Sequence, residues 1–208
     1  MKKRIALLLT AMLLLTAAAA SADVIKPMPS AVDPWSVAGQ AVYVRVLDFD
    51  WRAETVTVAL CDVETFDREA IQAMTVGDVI VSEGREIEVR TIWEDAPVII
   101  VNEDDEALAL WENDDGNYES AYGYTDMRVW TVVGERTFEL SDDLVFLDGI
   151  NPSTGEMLTL PTANTLRELR RIMEGEEYDP GFSAQNAYMV FDDEQEAVVL
   201  ARFYVPWQ

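Results

Sequence analysis

Ala41-Val42-Tyr43-Val44-Arg45-Val46, followed by Thr55-Val56-Thr57-Val58-Ala59-Leu60-Cys61, is the stretch whose reading decides the fold. In the first run valine returns at every second position. Side chains of an extended chain alternate between two faces, whereas those of a helix return every three to four residues. Both runs are therefore strands, and the second is rich in the β-branched residues that suit a pleated surface.

Downstream, the same period dominates. Val76 to Ile92 reads as strand, Glu83-Gly84 turn, strand. Pro97–Val101 and Ala107–Trp111 form two more, joined by Asn102-Glu103-Asp104-Asp105-Glu106. Asp115-Gly116 predicts a type I′ hairpin leading into Tyr118–Thr125. Met127–Val133, Thr137–Leu140 and Leu144–Leu147 read as three separate strands, with Gly134-Glu135 and Ser141-Asp142-Asp143 as turns between them. The chain closes on a hairpin, Ala187–Phe191 and Ala197–Val205, around an acidic tip at 192–195, after a turn at Asp179-Pro180-Gly181.

Two segments break the period. Phe66, Ala70, Ile71 and Met74 fall at helical spacing near 66–74, with Thr65 or Asp67 as N-cap. Leu166, Leu169, Ile172 and Met173 form an apolar stripe near 165–174. There Thr165 and Glu168 fit a capping box, and Gly175 supplies the stop. The fold class is mainly β (a β-rich α+β chain). It has about ten short, mostly antiparallel strands in a sandwich or partly open barrel, one clear helix and one short one.

The N-terminus reads differently. Lys2, Lys3 and Arg4 precede an uncharged, leucine-rich run to Ala20, and Ala20-Ser21-Ala22 closes it with small residues. That is the arrangement of a secretory signal peptide over 1–22. The expected place of work is outside a bacterial cytoplasm: periplasm, cell envelope or extracellular space. Residues 23–40 hold Pro27, Pro29 and Pro34 and read as an extended linker, and 41–208 as a single β-rich domain. A faint echo between Ile100–Leu110 and Val190–Leu200 suggests two related halves, about 41–112 and 125–208.

Composition excludes several chemistries. The 208 residues hold 39 acidic and 15 basic groups, no histidine and one cysteine, for a formal charge of −24. Loss of Lys2, Lys3 and Arg4 with the leader takes the charge to −27. No Ser-His-Asp triad, Cys-His pair or histidine metal site can be built, and no disulfide can form within the chain. Cys61 lies in an apolar run and reads as a buried thiol. So negative a chain repels nucleic acid and anionic membrane surfaces, and favours a basic protein partner or cations.

Three constellations remain. Trp111, Tyr118, Tyr122 and Tyr124 are the candidate ligand-binding residues: the tyrosines share one face of a regular strand, and Trp111 lies across a tight hairpin. Rings with polar edges suit a glycan or another envelope component; the same rings also serve as core or cross-strand pairs. The acidic tips at 103–106, 112–115 and 192–194 offer oxygens to calcium, although Asp, Asn and Gly are also ordinary turn residues. Asp48 and Asp50 point the same way, as paired carboxylates of a hydrolase would. The reading favoured is a non-catalytic exported domain that binds a glycan, envelope component or protein, with no cofactor. The alternatives are a carboxylate-based hydrolase and a calcium-stabilised extracellular module.

Overall fold

The computed structural model describes residues 22–151, 153–175 and 181–203. Most of the signal-like segment, Asp179-Pro180 of the expected turn and the end of the closing strand lie outside the described residues.

Among the described residues there are fourteen strands and two helices. In chain order they begin Val24–Ile25 (β1), Ala41–Asp50 (β2), Thr55–Val63 (β3), Thr65–Phe66 (β4), Arg68–Ala73 (α1), Val79–Ser82 (β5) and Arg85–Glu88 (β6). Ile92–Asp95 (β7), Val98–Val101 (β8), Leu108–Glu112 (β9) and Tyr118–Tyr122 (β10) follow. The chain continues with Trp130–Ile150 (β11), Met157–Thr165 (β12), Leu166–Gly175 (α2), Ala187–Phe191 (β13) and Ala197–Arg202 (β14). The fold is mainly β, with mixed sheets, one longer helix and one short one, and it is not a closed barrel.

The largest sheet runs β12-β11-β14-β13-β2-β3, and β3 also pairs with β11. The path returns to β11 through two different parts of that strand. Residues 130–139 pair antiparallel with β3, while 140 and 145–148 pair parallel with β14. A sheet that bends back in this way encloses its inner face. That face carries Val42 and Val44 of β2, Val56, Val58 and Leu60 of β3, and Phe138 and Phe146 of β11, all buried. Helix α2 covers the cluster with Leu169 and Ile172. Burying such side chains contributes roughly 2 kcal/mol each.

Two expected turns lie inside β11. Gly134 falls at a register shift against β3, and a Cβ there would come within 2.8 Å of the Pro34 Cβ. Its glycine answers to a close approach, not to a turn. Ser141–Asp143 sit in a wider bulge against β14, where Leu140 pairs with Ala197 and Val145 with Val199. Bulges bend a strand without ending it, so three expected strands are one. Strand β12 has no expected counterpart. It is an edge strand, exposed along most of its length, and shows no buried-to-exposed alternation.

A second cluster is built between β3 and β11. Val63 pairs with Trp130, so residues 64–129 leave and rejoin the large sheet at neighbouring points. They form the sheets β4-β10-β9-β8-β7 and β1-β5-β6. Phe66, Ile71, Ile80, Val101 and Leu110 pack between them. The lead-in read as a linker is extended and also packed: β1 pairs parallel with β5, Ile25 joins the second cluster and Val37 is fully buried in the first. The two clusters therefore divide the chain along a different line from the halves 41–112 and 125–208.

Local signals fare according to their chemistry. Asp67 caps α1 by accepting from the Ala70 N–H at 3.0 Å. Thr165 and Glu168 form the expected capping box on α2, with Glu168 accepting from the Thr165 N–H at 2.8 Å and Thr165 Oγ1 from the Glu168 N–H at 3.3 Å. The Asp115-Gly116 hairpin is not type I′. Of its two central residues only Gly116 has positive φ. Asn113 Oδ1 accepts from the N–H groups of Asp115 and Asn117, and the Gly116 N–H donates to the Asn113 carbonyl. This is a turn followed by a left-handed glycine, a three-residue hairpin loop. The two-residue hairpin with both central residues left-handed is Glu83-Gly84, at φ 51° and 72°.

Candidate functional site

The four candidate rings do not form one face. Tyr118 is buried in the second cluster. Trp111 pairs with Glu119, one residue out of phase with Tyr118, and so lies on the opposite side of the sheet. There it packs with Ile100, Ala109 and Ala121, donates Nε1–H to the Thr125 carbonyl at 3.2 Å, and lies under the Arg128 guanidinium. Tyr122 is at the end of β10 and 40% exposed, and Gly123 at φ 54° turns the chain before the exposed Tyr124. Period two holds only while the strand lasts, and β10 ends at Tyr122.

Tyr122 stands at one end of a cleft of about 390 Å³ between the β5–β6 hairpin and the 104–108 turn. Its hydroxyl donates to Glu83 Oε1 at 2.6 Å. Burial, with the Glu83 carboxylate beside it, pushes its pKa up to about 12. Glu83 is held by Glu64, a buried carboxylate between β3 and β4 that accepts from the Glu83 N–H at 2.9 Å. Glu64 also accepts from Ser82 Oγ at 2.6 Å and Ser120 Oγ at 2.8 Å. Three donors satisfy it without a cation, and they tie β5 and β10 to the start of β4. Its lone pairs serve the fold. The cleft walls add Arg85, which pairs with Glu83 at 2.8 Å, together with Glu86, Asp105, and Asp104 and Glu106, both of which pair with Arg90.

The acidic tips use their side chains as turn acceptors. Asp104 Oδ1 accepts from the Glu106 N–H, and Asp192 Oδ1 from the N–H groups of Glu194 and Glu196. Asp50 likewise accepts from the N–H groups of Arg52 and Ala53, and Asp48 lies exposed beyond a bulge. Among the described residues no group of three or more His, Cys, Asp or Glu side chains is placed to hold a metal ion.

A continuous row of rings does exist, on the outer face of the large sheet. Inward positions of β2 are Val42 and Val44, so Tyr43 and Arg45 point outward. Tyr43 pairs with Cys61 on one side and Tyr188 on the other; Cys61 pairs in turn with Val132 and Tyr188 with Ala201. This register brings Trp130 to 4.5 Å from Tyr43, Tyr43 to 6.3 Å from Tyr188, and Tyr188 to 6.4 Å from Phe203, centroid to centroid. Small residues make room for the indole: Trp130 packs over Ala59, Cys61 and Ala184. Tyr43 remains 42% exposed and Val132 45%. The Trp130 Nε1–H is buried without a hydrogen-bond partner among the described residues. Burial pushes the Cys61 thiol above its usual value, while the Arg45 charge and backbone N–H pull the other way.

Of this row the sequence signals only the outward position of each ring. Tyr43 and Tyr188 become neighbours through the β2–β13 register. Comparison with protein-family models, with curated proteins and with solved structures found no match.

Proposed function

We propose that this protein is an exported, non-catalytic binding domain that holds a glycan across the ring row Trp130–Tyr43–Tyr188. One observation carries the reading: three rings, from β11, β2 and β13, come together on an outer sheet face, Trp130 reaching Tyr43 across β3, and the central one is 42% exposed. The first cluster lies on the other side of the sheet; on this side Trp130 packs into a small cluster with Ala59, Cys61 and Ala184, which Tyr43 and Tyr188 do not join. Rigid rings with hydroxyl edges offer flat apolar area for the C–H faces of a sugar and hydrogen bonds for its rim. Each such ring contributes on the order of 1 kcal/mol. The test is binding of the full chain to a panel of immobilised bacterial and plant glycans, with Tyr43→Ala and Tyr188→Ala beside it. Each variant is expected to weaken binding about tenfold, which is about 1.4 kcal/mol, with thermal midpoints close to the parent. Failure to bind any carbohydrate, or variants as tight as the parent, would reject the reading.

The Tyr122 cleft favours a second ligand class. Glu86 and Asp105, which make no ion pair among the described residues, beside one partly exposed phenol suit the cationic side chain of a basic protein partner. Glu86→Gln with Tyr122→Phe would weaken such a partner and leave glycan binding unchanged.

A further inference from the structure

Beside the ring row stands a cation that makes no ion pair among the described residues. Arg45 lies two residues from Tyr43 on the same strand, about 7 Å along it, and on the same outward face. It is exposed. Across the sheet it faces Ala59, whose methyl gives the guanidinium no tall neighbour. Arg68, Arg85, Arg90, Arg128, Arg170 and Arg202 each pair with a carboxylate. Among the described residues no carboxylate lies within ion-pair distance of Arg45. Lys26, Arg52, Arg136, Arg167 and Arg171 likewise make no ion pair among the described residues; what distinguishes Arg45 is its place on the same strand face as Tyr43.

From this we infer that the glycan held on the ring row is anionic, and that Arg45 receives its negative group while Tyr43 stacks on a sugar ring. The inference rests on the proposed glycan reading and specifies its ligand class. A guanidinium presents a planar fork that matches a carboxylate or a sulfate with two parallel hydrogen bonds. The general negative charge of the protein opposes such a ligand at long range. At physiological salt, however, fields from exposed charges fade within about 8 Å, so a direct Arg45 contact decides at the site.

The experiment uses three oligosaccharides of matched length: a neutral hexose oligomer, a uronic acid oligomer and a sulfated hexose oligomer. Binding of each to the full chain is measured by calorimetry near physiological salt. The same titrations are run on Arg45→Gln, Arg45→Lys and Tyr43→Ala, with thermal midpoints as the check on folding. The parent is expected to bind one of the anionic oligomers at least about tenfold tighter than the neutral one, and the tighter of the two identifies the anion. Arg45→Gln should erase that preference, bringing the anionic affinity down to that of the neutral oligomer on the same variant. Arg45→Lys should restore part of the preference, and Tyr43→Ala should weaken all three ligands. Equal affinity for neutral and anionic oligomers in the parent would overturn the role of Arg45 and leave the ring row standing. An anionic preference that survives Arg45→Gln would overturn it too. Binding of none of the three would remove the glycan reading and this inference with it.

Discussion

Asp148 and Arg202 face each other across the parallel strands β11 and β14, Oδ2 to Nη2 at 2.8 Å and Oδ1 to Nε at 3.1 Å, with both side chains out of solvent. Arg202 also lies over the rings of Phe146 and Phe182. A buried pair of this kind is costly to break, because removing one partner strands a charge. Replacing both with apolar groups removes the stranded charge and leaves the Ile150 N–H, which donates to Asp148 Oδ1 at 3.1 Å, without that acceptor. Asp148→Ala should therefore cost about 3–5 kcal/mol in urea unfolding, and the double change Asp148→Leu with Arg202→Met much less. If the double variant loses the sum of the two single losses, the pair is not coupled.

Glu64 ties three strands through one carboxylate. Glu64→Ala leaves the Ser82 hydroxyl and the Glu83 N–H without their acceptor, and the Ser120 hydroxyl with only the Glu64 carbonyl at 3.3 Å. Orphaned buried donors cost about 1–3 kcal/mol each before relaxation, so a loss of about 3 kcal/mol is expected. Glu64→Gln keeps one oxygen and should lose less. Chemical denaturation of both variants measures it, and a Glu64→Ala protein as stable as the parent would show that water replaces the carboxylate.

Tyr122 sets an alkaline window. Its pKa stands at about 12 against an ordinary 10.0, from burial and from Glu83. The folded state therefore keeps the phenolic proton where the unfolded chain has released it. The contribution to stability is complete below pH 10 and is lost as pH rises towards 12. Ultraviolet titration should show one late-ionising tyrosine that disappears in Tyr122→Phe and moves to lower pH in Glu83→Gln. No change of the late phase in Glu83→Gln would remove Glu83 as a cause.

Gly134 is required by contact. A methyl there would lie 2.8 Å from the Pro34 Cβ, so either the lead-in or β11 must shift. Overpacking of this kind costs typically about 1–3 kcal/mol. Gly134→Ala should lower the thermal midpoint by several degrees, and adding Pro34→Gly, which removes the clashing Cβ, should recover part of the loss. A midpoint unaffected by Gly134→Ala would mean that the lead-in yields freely.

The elements that could be read in the chain are those whose physics is local. The Thr165–Glu168 box is closed by atoms three residues apart, and the Asp67 cap by atoms equally close. The alternation of β2 survives because one face of that strand is buried throughout. The Asp115-Gly116 hairpin was half legible: a turn was certain from its residues, but its type was set by Asn113, whose side chain competes for the loop N–H groups.

Sequence by itself determined the class of fold, the position of the longer helix, the absence of histidine chemistry and the excess of negative charge. Tertiary structure decided which residues meet. Gly134 and Ser141–Asp143 look like strand ends because glycine and acidic clusters usually are, yet packing against Pro34 and pairing with two partners carry β11 through both. The rings show the same division. Tyr118, Tyr122 and Tyr124 are close in sequence, but one is buried and the strand ends before the last. Tyr43, Trp130 and Tyr188 are far apart in sequence and touch. Strand register, set by burying one face of each strand in a shared core, fixes what lines up on the other face.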